Sequence, residues 1–477
     1  MASAETNRYI RRIRREFPGV YDDMAWLSPG AAAEAEKERG KLLADIFNRP
    51  DSPAGWRFSD TKLFTHAISP GCALCGEGKW ACLFINGICN ANCFYCPSAQ
   101  NDKGPPITSS VEFDTARDFA AYVNRFGIGG VGFSGGEPLL NYDRVTDYLS
   151  TLVTQAERPV HTWMYTNGIL VTGDKLKGLR DCGLNEIRFD LSARDYKLDS
   201  LKKAVGIIPV VTVEIPAIPE DLEKTKPMLQ ELHEAGVNFL NLHQIRCTPF
   251  NAPKLIRRGY RFIRGPGVAV LDTEMAALTL IRHALDRNIP LPINYCSFTF
   301  RNQFQSAAAR RRNAQLVKKN WEDVTQTGYI RSMSLSGEPN RIAAIRPFFD
   351  ARGEQGTDWQ VSMKKPEIFF PARLWPLEQR VEGLKLKLTY SASALRSKAS
   401  RIYPFEDISL TEDKTVVIER DNRHPGILLE GDAVTAFAQG FLTRENPVSG
   451  CPVRLSGRLE DEISRFERFP RGLAPYL

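Results

Sequence analysis

Cys89, Cys93 and Cys96 stand at C-x3-C-x2-C spacing, with the aromatic Tyr95 directly before the last of them. The apolar stretch 81–88 ahead of them predicts a buried strand. Residues 97–106, rich in Pro, Asn, Ser and Gly, predict a loop. The thiols therefore lie just past the C-terminal end of a strand, where α/β barrels carry their chemistry. Three closely spaced thiolates can hold three corners of a [4Fe–4S] cluster and leave one iron open to an exogenous ligand. A fourth thiolate would close the cluster and suit electron transfer instead.

Six of the ten cysteines crowd between Cys72 and Cys96; the others are Cys182, Cys247, Cys296 and Cys451. A disulfide scaffold is short and secreted, whereas this chain is long and shows no apolar signal core, so metal or iron–sulfur ligation in a reducing cytosol is expected. Cys72 and Cys75 have metal-knuckle spacing, with Gly71 and Gly76 beside them. Together with Cys82 and one distant thiol they could form a four-cysteine site for one iron or zinc ion or a second [4Fe–4S] cluster. Cys296 is the first choice for the fourth ligand and Cys247 the second. The plainer reading is reduced core cysteines, and it is the one applied to Cys182 and Cys451. A zinc ribbon built from Cys72, Cys75, Cys93 and Cys96 would leave Cys89 unexplained.

The elements that must position these thiols alternate along the chain. Strands are expected at 81–88, 129–134, 160–166, 185–192, 208–215 and 238–244, with a seventh apolar run at 290–295. Helices are expected between them, at 113–126, 142–156, 219–235 and 272–287, and a helix-like stretch follows at 303–321. Six such units predict a parallel sheet with right-handed crossovers, an α/β fold curled into a partial (βα)6 barrel over 66–335. Residues 1–65 read as a helical N-terminal extension, with a helix over 31–47. Residues 336–477 read as an α+β C-terminal domain, with strands at 381–390 and 413–419 and a helix at 431–443. No internal repeat is present.

The net charge is +7 over 477 residues, with 43% hydrophobic content. That balance allows a nucleic-acid partner without implying one. The densest basic cluster, Arg310, Arg311 and Arg312, reads as a solvated helix face. No apolar run approaches the ~18 residues of a membrane span. The Arg-rich first 17 residues are compatible with a transit peptide, but a solvated amphipathic helix is the simpler reading. A cytoplasmic protein is expected.

A second motif, Ser134-Gly135-Gly136-Glu137-Pro138, follows the second predicted strand. With the three cysteines and Tyr95, it resembles the radical S-adenosylmethionine (radical SAM) superfamily. The resemblance implies a [4Fe–4S] cluster on Cys89, Cys93 and Cys96, with SAM on its open iron. An external one-electron reductant would drive cleavage of SAM to a 5′-deoxyadenosyl radical that takes a hydrogen from the substrate. The Gly135–Glu137 turn would receive the amino group of SAM, and Tyr95 would pack near the adenine. Two glycines let a backbone approach a ligand closely. Asn167, Asp190, Ser192 and Glu214 close otherwise apolar strands and suit a ribose and carboxylate site; a turn Asn or a helix-capping Ser is the simpler account of such residues. His243 ends the sixth strand facing the same site, with a satisfied core histidine as the alternative.

The stretch 66–335 is further similar to methanogen cobalamin-dependent enzymes that C-methylate a glutamine of methyl-coenzyme M reductase. That similarity implies a protein or peptide substrate and cobalamin bound by the C-terminal domain. No D-x-H-x-x-G stretch is present. The alternatives are a radical SAM activating or peptide-modifying enzyme without cobalamin, and a metal-stapled scaffold binding nucleic acid.

Overall fold

A computed structural model describes residues 4–264, 267–375, 381–422, 425–442 and 455–476. The chain forms two compact units, 1–305 with 471–477 and 306–470. The sequence reading placed the border at 335; the chain leaves the first unit thirty residues earlier and returns to it at the end.

The first unit is built on one sheet. Its strands are β1 (Ala54–Arg57), β2 (Lys62–Thr65), β3 (Trp80–Phe84), β4 (Ile107–Thr108), β5 (Val111–Glu112), β6 (Gly130–Ser134), β7 (His161–Thr166), β8 (Glu186–Phe189), β9 (Val210–Pro216), β10 (Phe239–His243) and β14 (Ile293–Cys296). Three short strands, β11 (Arg246–Cys247), β12 (Phe262–Arg264) and β13 (Val268–Val270), pair separately. The large sheet runs β1-β2-β14-β10-β9-β8-β7-β6-β3-β4-β5. Its seven central strands are all parallel, which matches the seven expected apolar runs. The expectation of a purely helical 1–65 needs correction. Helices α1 (Ala4–Glu16) and α2 (Pro29–Phe47) are there, but β1 and β2 form a hairpin whose second strand pairs antiparallel with β14. Its four-residue strands are too short to show a period in the sequence.

Strand parity gives the sheet two different faces. One carries Ile187, Val211, Val213, Leu240, Leu242 and Ile293, all buried, and packs against the connecting helices. On that side the helix Leu271–Asp286 meets β10 and β14, and its Glu274 accepts from the Tyr295 hydroxyl at 2.6 Å. The opposite face carries Lys62, Trp163, Tyr165, Glu186, Arg188, Thr212, Glu214, Asn241, His243 and Cys296. Against it packs α3 (Pro70–Glu77), whose Gly71 and Leu74 touch Trp163, Arg188 and Gly130. Ser69 caps this helix, accepting from the Cys72 amide at 3.3 Å.

The second unit holds an eight-stranded sheet around the long strand Lys385–Arg396. Helices Pro339–Asp350 and Gly457–Glu467 contribute to its apolar core, which includes Phe348, Phe349, Trp359, Phe370, Leu386 and Phe466. The expected helix at 303–321 is α-helical over Ser306–Val317, and Cys451 lies outside the described residues. Among the described residues no helix is long and apolar enough to cross a membrane.

Candidate active site at the ends of the parallel strands

The loop carrying Cys89, Cys93 and Cys96 leaves the end of β3 and is tied to the neighbouring strand ends by backbone bonds. Ile85 donates to the Ser134 carbonyl at 2.9 Å, Gly136 to Asn86 at 2.8 Å and Glu137 to Ile88 at 2.8 Å. These contacts explain the two glycines without a ligand. A Cβ on Gly135, where φ is +128°, would sit 2.2 Å from the Asn86 carbonyl oxygen, and one on Gly136 would sit 1.9 Å from that of Ile88. Only glycine allows so close a backbone approach.

Glu137, 1% exposed, uses both carboxylate oxygens inside the protein. Oε1 accepts from Leu139 N at 3.0 Å and from Thr166 Oγ1 at 2.9 Å; Oε2 accepts from Asn167 N at 2.7 Å. Burial raises its pKa, against the pull of these donors. The side chain therefore ties the end of β6 to the end of β7. Asn167 continues the chain of contacts, its Nδ2 donating to Asn90 Oδ1 at 2.7 Å and to the Cys89 sulfur at 3.7 Å. The Ala91 amide approaches the same sulfur at 3.4 Å.

Across the loop, Tyr95 donates to Asp190 Oδ2 at 2.8 Å and lies 2.5 Å from Ser192 Oγ, which bonds Asp190 Oδ1 at the same distance. Burial raises the Asp190 pKa, with the Ser192 and Tyr95 hydroxyls opposing it. Burial also pushes the Cys93 thiol up to about 12, helped by the Asp190 charge. Asn251 fastens the loop from the far side, its Nδ2 donating to the carbonyls of Tyr95 and Arg246 at 2.9 Å each.

Below this layer Arg188, 3% exposed, is the centre of a network that the sequence reading missed. Its guanidinium donates to Glu186 Oε1 at 2.8 Å, Glu214 Oε2 at 2.8 Å, Tyr165 Oη at 3.3 Å and Ser69 Oγ at 3.3 Å. Burial alone would raise the Glu186 carboxyl; Arg188, His161 and Thr212 together draw it down to about 2. Glu214 is held low in the same way, chiefly by Arg188 against its burial, and also accepts from Asn241 Nδ2 at 3.1 Å. The signal was visible as charged residues alternating with Ile187 and Phe189, yet such alternation usually marks a solvated face.

The second cysteine group divides. Cys72 accepts from Asn241 Nδ2 at 3.3 Å and Cys75 from Gln305 Nε2 at 3.1 Å. Lys62, 1% exposed, is the surprise: its ammonium feels Cys296, Cys72, Cys75 and Glu214 and lies 4.4 Å from the Phe300 ring centroid. Burial, then Cys296, raises the Cys75 thiol to about 12. Cys82 faces Ser134, Glu214, Arg188 and Arg301, and burial raises it to about 12 as well. Cys247 is buried in an apolar cluster with Ile13, Tyr21, Tyr95 and Ile245. Cys182 caps the helix Gly173–Asp181, remote from these groups in the sheet order.

His243 ends β10 beside Cys296 in register. Its Nδ1 is buried without a partner, and burial, then Arg301, lowers its pKa to about 4.

Among the described residues no three His, Cys, Asp or Glu side chains converge as they do around a single ion. A cubane cluster places each thiolate on a different iron and so takes sulfurs set further apart. The Cys89–Cys96 loop fits that group: three half-exposed thiols share one loop, and N–H donors point at the Cys89 sulfur, as iron–sulfur thiolates require. The Cys72, Cys75 and Cys296 group fits a second metal less well, because Lys62 already brings a cation among the three thiols.

Residues 83–245 match the family model of the radical SAM superfamily. Over 275 residues the chain is 29% identical to a Methanocaldococcus jannaschii protein named "Putative glycyl-radical enzyme activating enzyme", covering 55% of this chain and 72% of that protein. It is 30% identical over 110 residues to the GTP 3′,8-cyclase of Corynebacterium glutamicum, covering 22% of this chain and 29% of the cyclase. Streptococcus suis SuiB bound to S-adenosylmethionine is similar at 12% identity and a TM-score of 0.34, over 48% of this chain and 55% of SuiB.

Proposed function

We propose that the protein is a radical SAM enzyme that abstracts a hydrogen atom from a protein or peptide substrate. The seven parallel strands are read as the partial barrel of the superfamily. When bound at Cys89, Cys93 and Cys96, the cluster with SAM supplies a one-electron cleavage that yields the 5′-deoxyadenosyl radical. The observation that carries the reading is the anchoring of the three-cysteine loop. Backbone bonds to β6, the Glu137 tie to β7 and the Asn167 contact to Cys89 hold three thiols at adjacent strand ends.

The chain's own residues do the positioning. The Ser134–Glu137 segment offers backbone groups at the loop, since the Glu137 carboxylate is already spent on structural bonds. Tyr95, Asp190 and Ser192 form a fixed polar edge suited to ribose hydroxyls, with Asp190 as acceptor. Glu214 and His243 lie deeper on the same face. Burial of these groups excludes water from a site where a radical must survive.

The relative named as an activating enzyme favours hydrogen abstraction from a protein. Cobalamin-dependent methylation, including that of a methyl-coenzyme M reductase glutamine, remains the alternative fate of the substrate radical within the same reading. The test is anaerobic reconstitution followed by dithionite and SAM. Formation of 5′-deoxyadenosine is expected; its absence from protein carrying about four irons defeats the reading. Cobalamin that co-purifies stoichiometrically would move the assignment to methyl transfer.

A further inference from the structure

The segment that follows β11 lies along the outside of the three-cysteine loop. Thr248 Oγ1 donates to the Pro97 carbonyl at 2.9 Å, and Asn251 Nδ2 donates to the Tyr95 carbonyl at 2.9 Å. Lys254 Nζ donates to Asn92 Oδ1 at 3.0 Å. Arg258 sets its guanidinium carbon 3.6 Å from the centroid of the Phe94 ring. Intervals of three and four residues put these side chains on one side of the helix Ala252–Ile256 and its flanking turns. The first three contacts hold carbonyl oxygens of the loop. The fourth holds a ring.

That ring stands next to a candidate ligand. Phe94 lies between Cys93 and Tyr95, and it packs with Cys93 against the apolar cluster that contains Tyr95, Cys247 and Tyr260. It meets the Tyr95 ring edge-on at 5.2 Å. Arg258 is itself held from behind. Its Nη1 donates to Glu220 Oε1 at 2.8 Å, and the Tyr260 hydroxyl donates to Glu220 Oε2 at 2.6 Å. Glu220 belongs to the turn Pro219–Asp221, just past the end of β9. The carboxylate therefore has both oxygens engaged and fixes the guanidinium over Phe94. Arg258 and Glu220 are both exposed, and an exposed ion pair adds little to global stability. A cation over an aromatic face restricts that ring locally.

We propose that Arg258 is a positioning residue for Cys93: anchored to the end of β9 by Glu220 and Tyr260, it seats Phe94 and through that ring fixes the adjacent thiol. The inference rests on the reading of Cys89, Cys93 and Cys96 as cluster ligands and deepens it. A thiolate whose neighbour can swing lets go of iron more often, whatever the stability of the whole chain.

The experiment uses the full chain with its cluster reconstituted anaerobically. Release of iron to bathophenanthroline disulfonate is timed for the wild type, Arg258→Gln, Arg258→Lys, Phe94→Leu, the double variant Arg258→Gln with Phe94→Leu, and Arg257→Gln. Arg257 bonds its own turn, Nε to the Pro253 carbonyl at 3.2 Å, and serves as the control. Arg258→Gln is expected to lose iron about three- to fivefold faster than the wild type, with a melting temperature within about 1 °C of it. Arg258→Lys keeps the cation without the planar fork and should recover part of that loss. The g-values of the reduced cluster should shift in Arg258→Gln and stay in place in Arg257→Gln. The double variant should be no faster than Phe94→Leu alone, because the two residues act as one contact. A wild-type rate in Arg258→Gln, an equal acceleration in Arg257→Gln, or unshifted g-values in Arg258→Gln overturns the proposal. No recovery in Arg258→Lys overturns the role of the cation, and a double variant showing the product of the two separate effects overturns the route through Phe94. Formation of 5′-deoxyadenosine is scored separately. Product with a wild-type release rate in Arg258→Gln defeats this inference alone. Iron-loaded wild type that forms no product defeats the enzymatic reading and leaves the release comparison standing; a wild type that takes up no iron defeats both.

Discussion

The cysteines on α3 and those on the loop after β3 lie 14 to 24 residues apart in the chain and differ in what surrounds their sulfur. Cys89, Cys93 and Cys96 share a half-exposed loop beyond a strand end, fixed by backbone bonds, with an amide N–H and Asn167 aimed at one sulfur. Cys72 and Cys75 ride on a capped helix against the polar face of the sheet, beside Cys296 and the buried Lys62. The first arrangement leaves room and an opening. The second brings its own positive charge, Lys62. Closely spaced cysteines in sequence therefore lead to two different surroundings, one proposed as a cofactor site and one read as a packed interior.

The sharpest way to break this contrast is to remove one thiol from each group. Cys89→Ala should abolish 5′-deoxyadenosine formation, at least a hundredfold by chromatography. Cys72→Ala should lower the melting temperature more than it lowers product; equal loss of product in both would erase the distinction. Next comes the support beneath both groups. Arg188→Leu strands Glu186 and Glu214 in the interior and should cost about 3–5 kcal/mol in denaturant melts.

The same network sets an acid limit. The Glu186 pKa is depressed in the folded chain to about 2, so its stabilisation is full above pH ~4.5 and is lost as pH falls towards 2. On the order of 3 kcal/mol should disappear across that window, and the Arg188 variant should lack this slope. Smaller still, Ser69→Ala removes the cap of α3 and an Arg188 contact and should cost about 1–2 kcal/mol by the same melts. Tyr95→Phe deletes the hydroxyl shared by Asp190 and Ser192 and should cost about 1 kcal/mol, read as a modest fall in stability and weaker SAM binding.

Much of the parallel sheet was legible because its outward-facing residues are apolar and regularly spaced. The run 129–134 and the strand Gly130–Ser134 differ by one residue, and 238–244 contains Phe239–His243. The cysteine loop and the Gly135–Gly136 turn were legible as well, although the glycines serve the loop backbone and not only a ligand. What the sequence hid is the polar face. Glu186, Arg188 and Asp190 alternate with Ile187 and Phe189, and periodicity cannot say whether the polar side meets water or an active-site interior. Lys62 was hidden twice, in a strand of four residues and in a hairpin whose partner, β14, lies more than 200 residues away.

The return of the chain end to the first unit has a topological consequence. Gly472 donates to the Ser59 carbonyl at 2.7 Å and Arg471 bonds Asp60; Tyr476 reaches Glu274, which also holds Tyr295 and Arg39. The second unit is therefore an insertion and not an appendage: the polypeptide enters it at 306 and comes back at 471. Cutting the chain after 335 would remove the last stitches of the first unit along with the second, and would leave Glu274 short of a hydroxyl. Splicing 305 directly to 471 through a flexible linker is the route to the first unit by itself, because insertions can be excised where appendages are truncated.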